Sequence, residues 1–218
     1  EDPKTGQDVV LQKLYGGANR TWVKYDEIPK NLVHACIAIE DKRFMEHQGV
    51  DWVTTMKACV KMFLGSGSAG GSTITQQLVK NVTGNREVTV RRKLSEIYSA
   101  LKLEKEYSKE EIMEWYLNVI ALGENCEGVQ SASQVYFGKN VEGLDLAQCA
   151  ALIGITNNPS IYDPYINPDK NKERQEIILG EMLSQGYITQ SQYDSAIAEE
   201  LVFVRKSADE GDAEQEYY

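Results

Sequence analysis

Two glutamates in dense polar surroundings, Glu40 and Glu96, are the residues of this chain best suited to chemistry. Reactions at a sugar's anomeric carbon commonly use a pair of carboxylates, one handling a proton at the attacking oxygen and the other assisting nearby. Any one glutamate among 33 acidic residues is by default a solvated surface charge. The company of these two sets them apart. Glu40-Asp41 follows an apolar helix face and is itself followed at short spacing by Phe44, His47 and Gly49, while Glu96 comes three residues after Arg91-Arg92-Lys93. Between them lies Gly-Gly-Ser-Thr-Ile-Thr-Gln-Gln-Leu-Val-Lys-Asn, residues 70–81. Its glycines suit a close approach of backbone to a ligand, its hydroxyls can cap a helix, and Lys80 stands a turn or two inside. That stretch reads as a polar cradle, not as core.

The charge distribution supports an anion site. The chain carries a formal net charge of -10, which argues against a nucleic-acid partner, since such proteins carry a basic footprint. Residues 86–105 run against this trend, with six cations (Arg86, Arg91, Arg92, Lys93, Lys102, Lys105) and only three acids. A local anion site fits such a cluster better than a basic surface does. Gly65-Ser66-Gly67-Ser68-Ala69-Gly70 spells a dinucleotide fingerprint, but it follows a helical pattern and not a strand, so a mobile loop is the better reading.

The elements that must position these residues are overwhelmingly helical. After Pro29, the stripe Leu32, Val33, Cys36, Ile37, Phe44 places Glu40 near the end of a helix whose earlier part is core. Asp51 can cap a second helix carrying Trp52, Met56, Val60 and Phe63 or Leu64 at helical spacing, either core or membrane-facing. Helices are predicted from Ser72 to about Val82 and from about Glu87 to Glu106, the second burying Val90, Leu94, Ile97 and Leu101. Ser108-Lys109-Glu110-Glu111 is a capping box that opens a helix ending near Asn118. Four more follow at about 127–136, 143–155, 168–185 and 189–200. The only strand signal is a short hairpin or extended lead-in over residues 9–28.

At 218 residues the chain suits one folding unit with a side lobe. The expected limits are a domain over residues 1–206, with 1–28 as lead-in and about 50–70 as a mobile region, then an acidic disordered tail over 207–218. No run approaches the roughly 18 apolar residues of a membrane span, and the abrupt start at Glu1 leaves room for an upstream anchor. Cys36, Cys59, Cys126 and Cys149 lack ligand spacing and read as buried free thiols.

Four motifs in order carry a family resemblance: Glu40-Asp41-x-x-Phe44-x-x-His47-x-Gly49-x-Asp51, Gly70-Gly71-Ser72-Thr73-Ile74-Thr75-Gln76-Gln77-Leu78-x-Lys80-Asn81, Arg92-Lys93-x-x-Glu96, and Lys109-Glu110-x-Ile112-x-Glu114-x-Tyr116-Leu117-Asn118. From about Pro29 to Pro164 the chain resembles the peptidoglycan glycosyltransferase domain of class A penicillin-binding proteins and of monofunctional peptidoglycan glycosyltransferases. The resemblance implies a mainly α, lysozyme-like large lobe with a smaller membrane-proximal lobe, which shifts the helix after Asp51 toward the membrane. It implies polymerisation of lipid II: the acceptor's 4-hydroxyl attacks the anomeric carbon of the growing glycan strand, with inversion and loss of polyprenyl pyrophosphate. By similarity Glu40 is the general base and Glu96 holds or polarises reacting groups. Lys80, Arg92 and Lys93 contact the pyrophosphate, and Asp41, Phe44, His47, Thr73, Gln77 and Asn81 complete the substrate site.

Residue chemistry agrees with this reading. Pyrophosphate is already a good leaving group, so cations can stabilise its charge and no carboxylic acid need protonate it. Phe44 and His47 suit shaping the motif better than moving protons, and Asp41 can pair with a cation or touch substrate. Glu127 departs from the family, which often carries an aromatic there, and Asn157-Asn158-Pro159-Ser160 fits the last family motif loosely. No cofactor or protein-bound metal is expected, because two histidines without a ligand-spaced cluster give little to bind with, although a divalent cation on the pyrophosphate stays open. The implied location is the extracytoplasmic face of the bacterial cytoplasmic membrane, on an N-terminal anchor, with room for a transpeptidase domain after Tyr218. Two rivals stand beside this reading. A lysozyme-like hydrolase would have no use for the cation group, and a non-catalytic peptidoglycan-binding module would not need Glu40 or Glu96.

Overall fold

A computed structural model of the chain describes residues 19–63, 71–84, 87 and 89–204, with side chains of 58–63 left out of the description. The expected acidic tail, the glycine-rich loop and most of the lead-in lie outside the described residues. Within them the fold is mainly α, with ten helices and a two-stranded sheet of two residues per strand.

Helix α1 (Lys30–Glu40) buries Leu32, Val33, Ala35, Cys36, Ile37 and Ala38, so most of its surface faces protein. It packs on α7 (Leu146–Gly154) and α9 (Pro168–Ser184), which also pack on each other. Helix α7 is apolar nearly all round, with Ala147 and every residue from Cys149 to Gly154 buried, as a helix at the centre of a core must be. Asp145 caps it by accepting from the Gln148 N–H, and Gln148 bonds back, a reciprocal box that satisfies two otherwise unpaired donors. Helix α10 (Gln190–Ala198) closes the far side against α9.

A second group of helices leans on this core. Helix α3 (Ile74–Thr83) lies between α4 (Val90–Glu106) and α5 (Lys109–Val119), and the Thr73–Gln76 and Ser108–Glu111 boxes start α3 and α5. After β2 (Cys126–Glu127), α6 (Val129–Phe137) leads toward α7, and a short α8 (Pro159–Tyr162), not foreseen from periodicity, precedes α9. The described end of the expected hairpin or lead-in makes a long-range pairing. β1 (Asn19–Arg20) runs parallel to β2, and Val23 exchanges two hydrogen bonds with the Asn118 side chain, at 2.9 and 2.8 Å. Residues 9–18 fall outside the described chain.

Helix α4 contradicts its predicted stripe. Val90 and Leu94 are 79% and 62% exposed, and the buried positions are Glu96 and Ala100. Four apolar residues at helical spacing suggest an inward face, but α4 turns its ionic face toward α3, where Glu96 finds two cations. The loop after α1 presses on the α4 backbone at Ala100, which requires glycine at 49: a Cβ there, where φ is +82°, would lie 2.6 Å from the Ala100 carbonyl oxygen. In α2 (Trp52–Phe63), Trp52, Val53 and Met56 are all exposed, so this part of the helix is not core.

Candidate active site

Glu40 ends α1, next to the first turns of α3. Gln77 donates from Nε2 to Glu40 Oε2 at 3.0 Å, and Thr156 Oγ1 stands 3.2 Å from Glu40 Oε1. Both partners are neutral. Behind Gln77, the Tyr116 hydroxyl donates to its Oε1 at 3.2 Å. Burial, helped by the nearby Cys36, Glu40 and Asp41, pushes the Tyr116 phenol well above its ordinary value, so it stays a protonated donor. This orients the Gln77 amide with its N–H group toward the carboxylate. Burial likewise pushes up the Cys36 thiol, and Cys36, Cys126 and Cys149 are all buried. The fourth cysteine, Cys59, lies among the side chains left out.

Asp41 serves the scaffold. Its Oδ2 accepts from the Ile74 N–H at the start of α3 (3.0 Å) and from His47 Nε2 (2.9 Å), which ties the loop after α1 to α3. His47 Nδ1 lies 4.0 Å from Glu104 Oε1, and Glu104 is held by Lys109 and by the Thr75 hydroxyl. Lys109 also sits over the Phe44 ring, 4.3 Å from its centroid. Phe44 is only 1% exposed and braces the loop from beneath, in keeping with the motif-shaping role expected of it. Thr73 is equally buried, donating to the Gly49 carbonyl at 2.7 Å while capping α3.

Glu96 has the opposite environment. Arg92 and Lys93 both bond it, and Lys93 Nζ also donates to Ser72 Oγ at 2.8 Å and to Gln76 Oε1 at 3.4 Å. The second and third motifs are thus joined across the start of α3. Arg92 Nε is buried without a partner, a donor that an anion would satisfy.

Two cavities open beside Glu40 and Arg92. A small one of about 190 Å³ is lined by Glu40 and Asp41 together with Lys42, Asp51, Ser72 and Thr73. The other, of about 470 Å³, is lined by Lys80, Asn81, Gly84, Glu87, Arg92 and Glu127, among others. Gln77, Lys80, Asn81 and Gly84 share one side of α3 by their spacing, so the helix side that grips Glu40 continues into the cation-lined cavity about one turn on, a rise of about 5 Å. Lys80 and Asn81 have no side-chain partner among the described residues. Glu127 pairs with Arg20 across the β1–β2 pairing. A larger, mostly apolar groove of about 580 Å³ lies against the opposite side of α3, at Leu78, Val79 and Val82, and includes none of the predicted site residues.

Sequence reading missed several members of this arrangement. Gln76 and Tyr116 stood inside quoted motifs without a role, and Glu104 and Thr156 gave no local signal. Glu114 and Asn118, both motif letters, hold the lead-in: Glu114 accepts from the Trp22 indole N–H and the Tyr25 N–H at 2.9 and 2.8 Å.

Among curated relatives, penicillin-binding protein 1A of Neisseria gonorrhoeae is 44% identical over 193 residues, covering 88% of this chain and 24% of its own length. Penicillin-binding protein 1F of Bacillus subtilis (strain 168) is 46% identical over 172 residues, covering 78% of this chain and 24% of its own. The chain therefore spans about a quarter of the length of these relatives. The crystal structure of penicillin-binding protein 1A from Haemophilus influenzae aligns with a TM-score of 0.54 at 24% identity, over 87% of this chain and 19% of that one, which shows a shared fold. Residues 7–183 match the family described as Transglycosylase, and the chain belongs to that family.

Proposed function

We propose that this domain polymerises lipid II into peptidoglycan glycan strands. Glu40 takes the proton of the acceptor's 4-hydroxyl, whose oxygen attacks the donor anomeric carbon from the face opposite the departing polyprenyl pyrophosphate. The leaving group lies against Lys80, Asn81 and Arg92, where cations and the open Arg92 Nε–H stabilise its charge without general acid catalysis. Glu96 orders Arg92 and Lys93 and is not itself a proton acceptor, since both its oxygens are committed to cations.

The observation that carries this reading is the single side of α3. Gln77 fixes a carboxylate with neutral partners, and the next turn faces the cavity that holds Lys80 and Arg92, the order that base, reacting carbon and anionic leaving group require. A hydrolase reading gives those cations no task. Among the described residues no three His, Cys, Asp or Glu gather as a metal site, so a divalent cation would ride on the pyrophosphate itself.

The exposed Trp52, Val53 and Met56 of α2 suit contact with a membrane surface, in keeping with a lipid-linked substrate. No helix among the described residues is long and apolar enough to cross a membrane. By analogy with its longer relatives, the domain acts at the extracytoplasmic membrane face, beside a transpeptidase domain in the same protein.

Incubation of the purified domain with labelled lipid II in detergent, with products resolved before and after muramidase digestion, tests the proposal. Long, muramidase-sensitive glycan is expected, and Glu40→Gln should be silent while remaining folded. Shortening of preformed glycan with lipid II untouched would establish the hydrolase instead.

A further inference from the structure

Thr156 lies in the 3₁₀ turn Ile155–Asn157 after α7, far along the chain from Glu40 and outside every polar motif. Its Oγ1 stands 3.2 Å from Glu40 Oε1 and 2.8 Å from the Ile153 carbonyl oxygen. A hydroxyl has one proton and two lone pairs, so it can donate to only one of these acceptors at a time. Gln77, on the other carboxylate oxygen, has no such freedom. Its amide nitrogen can only donate, and Tyr116 occupies its carbonyl end.

We propose that Thr156 is a positioning residue for the general base, a hydroxyl rotor that follows the protonation state of Glu40. This rests on Glu40 being the base. While Glu40 is ionised, Thr156 directs its proton at Oε1, and with Gln77 it fixes the carboxylate at both oxygens. In the chemical step the acceptor's O–H bond breaks and its electron pair forms the new bond to the anomeric carbon. The bond from that carbon to the pyrophosphate oxygen breaks with its pair on the leaving group, and the proton forms an O–H bond on Glu40. Thr156 then turns its own proton to the Ile153 carbonyl and presents a lone pair to the new carboxylic acid. The switch needs a rotation about one C–O bond and no movement of heavy atoms. Because Gln77 cannot make the equivalent change, Oε1 is the oxygen that takes the proton.

The test is steady-state polymerisation of lipid II by Thr156→Val, Thr156→Ser and Glu40→Gln variants of the domain. Losing a hydrogen bond to a charged group predicts a kcat about tenfold to a hundredfold lower for Thr156→Val, with KM for lipid II unchanged. Thr156→Ser, which restores the hydroxyl without the methyl, should recover most of that loss. Wild-type kcat in Thr156→Val overturns the proposal, as does a serine variant as slow as the valine one, or a loss that lies in KM alone. Thr156→Ala gives the same reading should the valine variant not fold. An active Glu40→Gln enzyme would instead remove the base assignment, and it is measured independently of the Thr156 variants.

Discussion

Glu40, half-buried, and Glu96, buried, both lie beside the first turns of α3, yet their partners differ in kind. Glu40 is held by an amide and a hydroxyl, whereas Glu96 is held by a guanidinium and an ammonium. A carboxylate with neutral partners can gain a proton without losing an ion pair. One clamped between two cations would first have to release them, and what it does well is to fix their positions. These environments support the proposed division of the two, Glu40 as proton acceptor and Glu96 as organiser of positive charge.

The most severe way to break this contrast is Glu40→Gln, which keeps the shape and hydrogen-bonding reach of the side chain but removes the base. Polymerisation should fall to background, and comparable residual rates in Glu40→Gln and Glu96→Gln would erase the distinction between the two sites. Glu96→Gln should leave measurable activity. It loosens Arg92 and Lys93 instead of removing a reactant, so a loss of about 1.5–3 kcal/mol, or roughly tenfold to a hundredfold in kcat/KM, is expected. Lys80→Ala removes one leaving-group contact from a side chain exposed at the cavity wall, and lies at or below the lower end of that range. Its deficit should appear with the polyprenyl pyrophosphate donor and be blunted by salt, which single-turnover measurements at two ionic strengths would read.

How far this was legible in the sequence depended on how local each cause is. The start of α5 was readable because a capping box is written within four residues, Ser108 to Glu111, and that of α3 because hydroxyls able to cap it precede its helical run. Helix α1 was readable because its buried stripe is its whole inner surface. Helix α4 was misread for a physical reason. Periodicity marks where apolar residues align, but Glu96, Arg92 and Lys93 satisfy one another, and so the ionic side could turn inward and leave Val90 and Leu94 to solvent. The partners of Glu40 show the same limit from the other direction. Gln77 belonged to a recognisable motif, whereas Thr156 reaches Glu40 only because α7 packs beside α1. The Asn118 bonds to Val23 are equally non-local, which is why the tethering role of this motif letter could not be read from its neighbours in the chain.

A third carboxylate sharpens the comparison because it lines the same small cavity as Glu40 but has the ionic environment of Glu96. Asp51 is bonded by the Arg43 guanidinium and accepts from the Thr54 N–H at 2.9 Å at the start of α2. The Arg43 hydrogen bond, aided by those from Thr54, holds its carboxyl well below the usual carboxylate range, against the opposing effect of burial. A carboxyl depressed in the folded state contributes stability that is fully present above its unfolded value, near 3.8. That contribution is lost as pH falls from there toward the lower folded value. Asp51→Asn should therefore cost stability at neutral pH, and the cost should shrink below about pH 4, as thermal unfolding of both proteins across this range would record. A cost that stayed constant with pH would mean that Asp51 acts through its helix cap alone and not through Arg43. Polymerase activity of the variant should fall far less than that of Glu40→Gln, because an ion-paired carboxylate on the cavity wall anchors α2 and does not receive the proton.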